Sequence, residues 1–379
     1  MANDDYITTA EKLLNDFAER TEIESSGSQN LHRYLWTDAF AVKAFFGMYH
    51  LTSQKRYFEL ALRLIDLVHE NLGKYRPQDE REGWISGLNH EQGLLHPTVA
   101  GLRIGKKFPE RQKHESYNSS LEWERDGQYF HYLSRWVMAL LQADKETGDE
   151  KYAYWALELM LAAEKFIYET GTGYAMYWKM NTELTRPLVA SMGAHDPLEG
   201  LLCTKSIQAR LPGKASDLDA LAKKFKSMCS GRTWSNPDAL GIGGLLLNSL
   251  KAKDLASHGF TLPDGSKPSD LVKEVIESLT SFSRTFSNDE SAEYRLAFRE
   301  CGLSLGLQTV LNSDEISEGF NSEIEELEKY RPMALEIEEF WLQEEHQQSS
   351  TWKEHENINM ISLACSLIAH QAPEVFSGN

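Results

Sequence analysis

The sequence predicts an all-α protein whose helices close into an (α/α)6 toroid, and three observations lead to that reading. First, six times an acidic or aromatic cluster runs directly into an apolar helix rich in small residues. These junctions are Leu35-Trp36-Thr37-Asp38, Trp123-Glu124-Arg125-Asp126-Gly127-Gln128-Tyr129, Ala194-His195-Asp196-Pro197-Leu198-Glu199, Ser235-Asn236-Pro237-Asp238, Glu293-Tyr294-Arg295 and His355-Glu356-Asn357. Second, more polar amphipathic helices lie between them. Third, strand signals are nearly absent, with no alternating runs joined by Asn-Gly or Asp-Gly turns. Six inner helices alternating with six outer ones are the arithmetic of a closed ring, in which equivalent helix ends converge on one mouth.

The outer helices are read from their stripes. Tyr6 to Phe17 opens the set. From Ser53 to Leu72, the residues Phe58, Leu62, Ile65 and Leu72 share one face and Glu59, Arg63, Asp66 and Glu70 another, with Gly73 as C-cap. Lys151 to Tyr168 repeats the pattern through Trp155, Leu159, Ala162 and Phe166. Leu218, Leu221, Phe225 and Met228 follow the same spacing behind Ser216 as N-cap. Val272, Val275, Leu279 and Phe282 follow Pro268-Ser269. Ile316, Phe320, Ile324 and Leu327 make the last stripe, opposite Glu318, Glu325 and Glu328.

The inner segments Ala39–Tyr49, Leu133–Leu141, Leu198–Ile207, Leu240–Leu250, Leu296–Val310 and Ile358–Ile368 are apolar nearly all round, so they are expected to be buried. Gly243-Gly244, Gly302 and Gly306 mark close backbone approach. An α-solenoid of stacked helix pairs is the structural alternative. It would show a tighter period, whereas inner helices here are separated by roughly 40 to 90 residues, as insertions into a ring's mouth would produce. Residues 1–379 are therefore expected to form a single toroid domain, with a long mouth insertion at 75–122.

Bulk properties narrow the function classes. The chain has 379 residues, 41% hydrophobic and 25% charged, ordinary for a globular protein. A net charge of −18 argues against nucleic acid, whose phosphates need clustered Lys and Arg. No signal peptide and no membrane span are expected. Cys203, Cys229, Cys301 and Cys365 are widely spaced and read as buried free thiols, which makes a cytoplasmic location the default.

Two stretches carry a resemblance to the six-hairpin glycosidase superfamily. Leu35-Trp36-Thr37-Asp38-Ala39-Phe40 resembles the Trp-x-Asp start of an early inner helix in unsaturated glucuronyl hydrolases. Trp123-Glu124-Arg125-Asp126-Gly127-Gln128 is similar to their second acidic segment, of Trp-x-Arg-Gly-Asn-Gly type, with Asp126 standing where that pattern is usually Gly. Gly193-Ala194-His195 through Glu199 resembles the Gly-His-x-x-Glu helix start of N-acylglucosamine 2-epimerases, with the His-to-Glu spacing one residue longer. The resemblance covers nearly the whole length, rests on helix order more than on motifs, and implies a toroid that acts on carbohydrate.

Glycoside chemistry needs one protonated and one ionised carboxyl. Asp38 and Asp126 form the first candidate pair, because each enters an inner helix beside a tryptophan, Trp36 or Trp123, whose face suits a sugar ring. The bland alternative is that both aspartates are N-caps. His195, Asp196 and Glu199 form the densest cluster, and a histidine can exchange a proton α to a carbonyl. There the alternative is a capped helix, Asp196 as N-cap and Pro197 behind it. Cys203, two turns beyond His195, lacks the second Cys or Cys-His that zinc would need, so neither metal nor cofactor is expected.

Tyr129 could point into the mouth, while His131 and Arg135 are expected to divide between cavity and helix packing. Arg295 and Arg299, near Glu300, read either as a structural ion pair or as a fork for an anion. His355 occupies a mouth position if the ring closes. In the insertion, Arg103, Lys106, Lys107, Arg111 and Lys113 make a basic patch, and Trp84, Ile85, Leu94, Leu95 and Ile104 argue for order. Gly101 to Lys107 is not a P-loop, lacking the Gly-Lys-Ser/Thr ending. The segment is expected to be an ordered flap in which Arg103 receives an acidic group.

The leading expectation is a glycoside hydrolase acting on a small, anionic saccharide. Catalytic residues would come from Asp38, Asp126, His195 and Glu199, and substrate contacts from Trp36, Trp123, Tyr129, Arg103, Arg295 and His355. The alternatives are a sugar epimerase or isomerase using His195 and His355 as bases, and a non-catalytic toroid that binds a glycan or a protein. The sequence carries no expectation for oligomeric state.

Overall fold

The computed structural model describes residues 3–25, 32–313 and 320–377. In chain order its helices are α1 (Asn3–Arg20), α2 (Leu35–Thr52), α3 (Lys55–Leu72), α4 (His90–Leu95), α5 (Ser119–Glu124), α6 (Phe130–Thr147), α7 (Lys151–Ala163), α8 (Asp196–Arg210) and α9 (Leu218–Cys229). They continue with α10 (Ala239–Ser257), α11 (Pro268–Phe282), α12 (Ala297–Leu311), α13 (Asn321–Leu327), α14 (Arg331–Trp341), α15 (Ser350–Glu354), α16 (Glu356–Ile368) and α17 (Glu374–Ser377). The inner segments become α2, α6, α8, α10, α12 and α16. Each is buried around most of its circumference, with α6 keeping His131, Tyr132 and Arg135 part-exposed on one side.

The structure divides into two compact units. One comprises Met1–Arg20, Lys43–Phe58 and Gly231–Asn379; the other comprises Thr21–Val42 and Glu59–Ser230. In the first, α12 packs on α10, α14 and α16, and α1 packs on α16. The glycines explain the closeness of α10 and α12. A Cβ on Gly243 would lie 2.0 Å from the Gly302 carbonyl oxygen, and one on Gly306 would lie 2.7 Å from the Gly243 Cα. Nothing larger than hydrogen fits. A buried carboxylate, Glu338 of α14, accepts from Ser304 at 2.7 Å and from His370 Nε2 at 2.8 Å, so this core is not wholly apolar.

In the second unit, α6 packs on α7 and α8, and α8 packs on α9. Short strands hold the start of α6. β1 (Gln128–Tyr129) pairs antiparallel with β4 (Lys179–Met180), which pairs with β5 (Pro187–Val189). Gln128 is buried, and its amide donates to the Ala100 and Thr182 carbonyls at 3.0 and 2.6 Å, tying the insertion to the sheet.

Several element boundaries differ from expectation. The helix read as Lys151–Tyr168 ends at Ala163, and β2 (Ile167–Thr170) turns into β3 (Gly173–Met176). Its aromatic and β-branched residues around Gly171 and Gly173 satisfy a hairpin, and helical periodicity alone hid them. Ser216 does not cap α9, which starts behind Asp217 with no side-chain cap. Of the last outer stripe, Ile316 and Glu318 lie outside the described residues. Ile324 and Leu327 sit in the short α13, and the longer α14 behind it was not anticipated.

Candidate functional site

Three of the six junctions lie in the second unit. Asp38 sits in the first turn of α2, 1% exposed. Its Oδ2 accepts from the Tyr34 amide at 3.2 Å and lies 3.3 Å from Arg33 Nε. Burial pushes its carboxyl up to about 6, and Arg33 and the Tyr34 amide offset this only in part. The side chain thus reaches back to the residue before the helix, as a cap does, while keeping a proton within reach near neutrality.

Asp126 is not at a helix start. It precedes α6 by four residues, is fully buried, and accepts from Arg103 Nη1 at 2.5 Å and from the amides of Gly105 and Lys106 at 3.0 and 3.3 Å. The rest of the Arg103 guanidinium donates to the Lys74 and Asn71 carbonyls. Arg103 and Asp126 therefore spend their charges on each other and on the backbone of the insertion, an arrangement that orders residues 71–106. Elsewhere in the basic patch, Arg111 pairs with Glu122 at 2.8 Å.

The third junction gathers the densest chemistry. Glu199, in the first turn of α8, accepts from Ser134 Oγ at 2.7 Å, from Arg135, and from His131 Nδ1 at 3.0 Å. Burial opposes its charge, but Arg135 and His131 more than offset this and hold the carboxyl well below the usual range. Asp196 is pushed the other way, up to about 6, by burial and then by the charge of Glu199. Expected as the α8 cap, Asp196 instead stands inside the helix and bonds backward to the Gly193 amide at 2.9 Å, while His195 takes the cap position without a side-chain cap bond. His195 itself is buried.

Ligand atoms of His131, Asp196 and Glu199 lie within 4.8 Å of one another, a spacing that could hold a cation. The Arg135 guanidinium already on Glu199 opposes one there. Cys203 points its thiol at the Ser134 carbonyl, 3.5 Å away, and all four cysteines are buried.

Aromatic side chains flank the cluster. Tyr129 stacks on Trp178 with centroids 5.8 Å apart, and Trp123, about half exposed, meets Trp178 edge-on at 4.9 Å. Tyr132 meets Tyr129 edge-on, and its hydroxyl bonds that of Tyr34 at 2.5 Å. Trp36 is buried against Phe40. In the order Trp123, Trp178, Tyr129, Tyr132, Tyr34, one continuous aromatic wall joins the starts of α6 and α2.

No family model matches the chain, and no curated protein matches it by sequence. Solved structures do. An inactive variant of the GH76 alpha-1,6-mannanase of Salegentibacter sp. HEL1_6, in complex with alpha-1,6-mannotriose, is similar over 96% of this chain and 98% of its own, with 12% identity and a TM-score of 0.53. The Lin0763 protein from Listeria innocua matches over 97% of each chain, with 10% identity and a TM-score of 0.57. A GH76 alpha-mannanase from Bacteroides thetaiotaomicron matches over 98% of this chain and 97% of its own, with 10% identity and a TM-score of 0.54. The chain has the (α/α)6 fold. It shares that fold with the six-hairpin glycosidase superfamily.

The (α/α)6 chain keeps its remaining junctions in the first unit. Asp238 caps α10, its Oδ2 accepting from the Gly241 amide at 3.0 Å. Arg295 is buried with Glu300 in a two-pronged pair and lies 3.7 Å from the Phe340 ring centre, the structural alternative of the sequence reading. His355 precedes α16 and meets Phe298 edge-on at 5.7 Å. The structure thus brings Asp38, Asp126, Arg103, Tyr129, Glu199 and His195 into one unit, and leaves Arg295 and His355 in the other. Sequence reasoning missed Arg33, Tyr34, Tyr132 and Trp178. Tyr34, two residues before Trp36, was the one signal within reach; Trp178 comes from the strand insert, where no motif pointed.

Proposed function

We propose that the chain is a carbohydrate-active enzyme that moves a proton on a small saccharide through His131, in the manner of an epimerase or isomerase. One observation carries this reading. His131 Nδ1 is held at 3.0 Å by an ionised, buried Glu199, while the side chain keeps 27% of its surface and Nε2 has no bond among the described residues. Glu199 fixes the tautomer and orientation, leaving Nε2 to accept or return a proton, a role worth roughly a hundred- to ten-thousand-fold in rate. The aromatic wall beside it suits the apolar face of a sugar. His195 and His355, the bases expected first, support it less: one is buried and the other belongs to the other unit.

Hydrolysis of a glycoside is the second reading, favoured by the split between Asp196, pushed up to about 6, and Glu199, held low beside it. Two carboxyls with opposed protonation are what that reaction requires. Asp38, also near 6, is a further proton donor. The pairing of Asp38 with Asp126 gains less support, since Asp126 is occupied by Arg103. The mannanase variant named above was inactivated by replacing two adjacent aspartates. This chain's only adjacent aspartates, Asp4-Asp5, stand at the start of α1, so likeness of fold is not extended to likeness of reaction.

A panel of aldoses and disaccharides incubated in deuterium oxide separates the two. Deuterium at a sugar carbon without cleavage, lost in His131→Asn, is the expected result. New reducing ends would favour hydrolysis instead, and unlabelled, intact sugars throughout would overturn both.

A further inference from the structure

Trp123 is 47% exposed, yet the backbone on either side of it is pinned from beneath. It lies in α5, a six-residue helix, next to the buried Glu122. Lys179, with no exposed surface, donates through Nζ to the carbonyls of Glu122 at 2.7 Å and Arg125 at 2.8 Å, and lies 3.0 Å from Glu122 Oε1. Arg111 Nε holds the other oxygen of Glu122 at 2.8 Å. Asn118 caps the start of α5, accepting from the Leu121 amide at 3.0 Å. Burying an ammonium and a carboxylate is costly, and here it fixes a turn whose outward product is a large ring facing water.

The same lysine ties that ring to the site. Lys179 follows Trp178, which Trp123 meets edge-on at 4.9 Å. The Trp178 amide donates to the Val189 carbonyl at 3.2 Å, and its carbonyl accepts from the Phe130 amide at 3.4 Å, one residue before His131. Ring contacts run from His131 to Tyr132 at 6.1 Å, from Tyr132 to Tyr129 at 5.2 Å and from Tyr129 to Trp123 at 6.4 Å. At the outer end, the Arg111 guanidinium that braces Glu122 also lies 5.6 Å from the ring centre of the exposed Tyr117.

A sugar ring is close in size to one of these side-chain rings, so a monosaccharide at His131 spans the first contact of this series and not the third. We infer that Trp123 is a specificity-determining residue: it stacks on a distal ring of the saccharide whose reacting ring lies at His131, and Lys179 is the positioning residue that holds it there. An indole face meets the C–H face of a sugar without requiring one pattern of hydroxyls, so it selects by chain length more than by the identity of the distal sugar. The charges beneath it are spent within the fold. Arg111 and Lys179 meet Glu122, and Arg125 meets both oxygens of Glu115 at 2.5 and 2.7 Å. The platform therefore offers the distal ring apolar area and not an ionic partner.

The inference rests on reading the His131 side as a sugar site, but its test does not need His131 to be a base. Affinities for glucose, for mannose and for their linear oligomers of two, three and four rings are measured by calorimetry, in the full chain and in His131→Asn. Affinity is expected to rise about tenfold between the single ring and the length that reaches Trp123. Trp123→Ala, at an exposed position outside the buried core, should remove that rise, and so should Lys179→Met. A merely structural loss would weaken every length by the same factor and leave the rise in place. Affinity that does not grow with length, growth that survives Trp123→Ala, or no binding at any length would each overturn the inference. A rise with length in a chain that exchanges no proton would keep Trp123 and remove His131. Proton exchange on sugars bound equally well at every length would do the reverse.

Discussion

His131 and Glu199, 68 residues apart, meet at 3.0 Å across α6 and α8, with Arg135 and Ser134 of α6 completing the shell around the carboxylate. One helix turn of α6 supplies all three donors, so the geometry depends on α6 and α8 keeping register. His131→Asn is expected to lower turnover about a hundred- to ten-thousand-fold. Stability should fall by only about 1 kcal/mol, the worth of one hydrogen bond. Steady-state kinetics beside thermal denaturation checks both, and unchanged turnover would remove His131 from the reaction.

Asp126→Asn should behave differently. It leaves Arg103 buried with its charge unanswered, which costs about 3–5 kcal/mol. A variant that melts as the wild type does would show that the Arg103–Asp126 bond contributes little to the fold.

Stability should depend on pH through Asp38 and Asp196. Each is pushed up from 3.8 to about 6, so the folded state binds protons more tightly than the unfolded one in that window. Stability attributable to each therefore falls as pH rises from about 4 to 6, by about 3 kcal/mol in all for a shift of this size. Glu199, held below its usual range, runs oppositely: its contribution is complete above about 4.5 and is lost as pH falls further. Asp196→Asn should flatten the slope between pH 4 and 6 and raise the melting temperature at pH 8. Parallel curves for variant and wild type would contradict this.

Gly243→Ala places a methyl group 2.0 Å from the Gly302 carbonyl oxygen, backbone that cannot swing aside. Overpacking of this kind costs about 1–3 kcal/mol. A denaturant midpoint equal to that of the wild type would show that α10 and α12 can separate freely.

We propose that residues 1–379 fold as one domain, because the boundary between the two units passes through the middle of α2 and the first turn of α3. Calorimetry should then show a single cooperative unfolding transition. Two resolved transitions would sink the proposal.

Much of the fold was legible because helical periodicity is local. The apolar runs around Ala39, Leu240 and Ile358 needed no partner to be recognised as buried helices, and their spacing implied the (α/α)6 order. The β2–β3 hairpin escaped, because Phe166 and Tyr168 continue a helical stripe into residues that also suit strands. Asp38, His195 and Glu199 were likewise visible as ionisable residues beside helix starts, whereas Asp126 stands four residues before α6.

What the sequence by itself determined was therefore the helix order, the burial of six helices and the placing of ionisable residues at their starts. Tertiary structure alone decided which charge answers which. It gave Asp126 to Arg103, 23 residues away, and Glu199 to Arg135 and His131. It also left Arg33 without hydrogen-bond partners for two nitrogens. The physical reason is range. A side-chain period is set within a few residues of chain, whereas the protonation and availability of a buried group depend on neighbours brought together by packing.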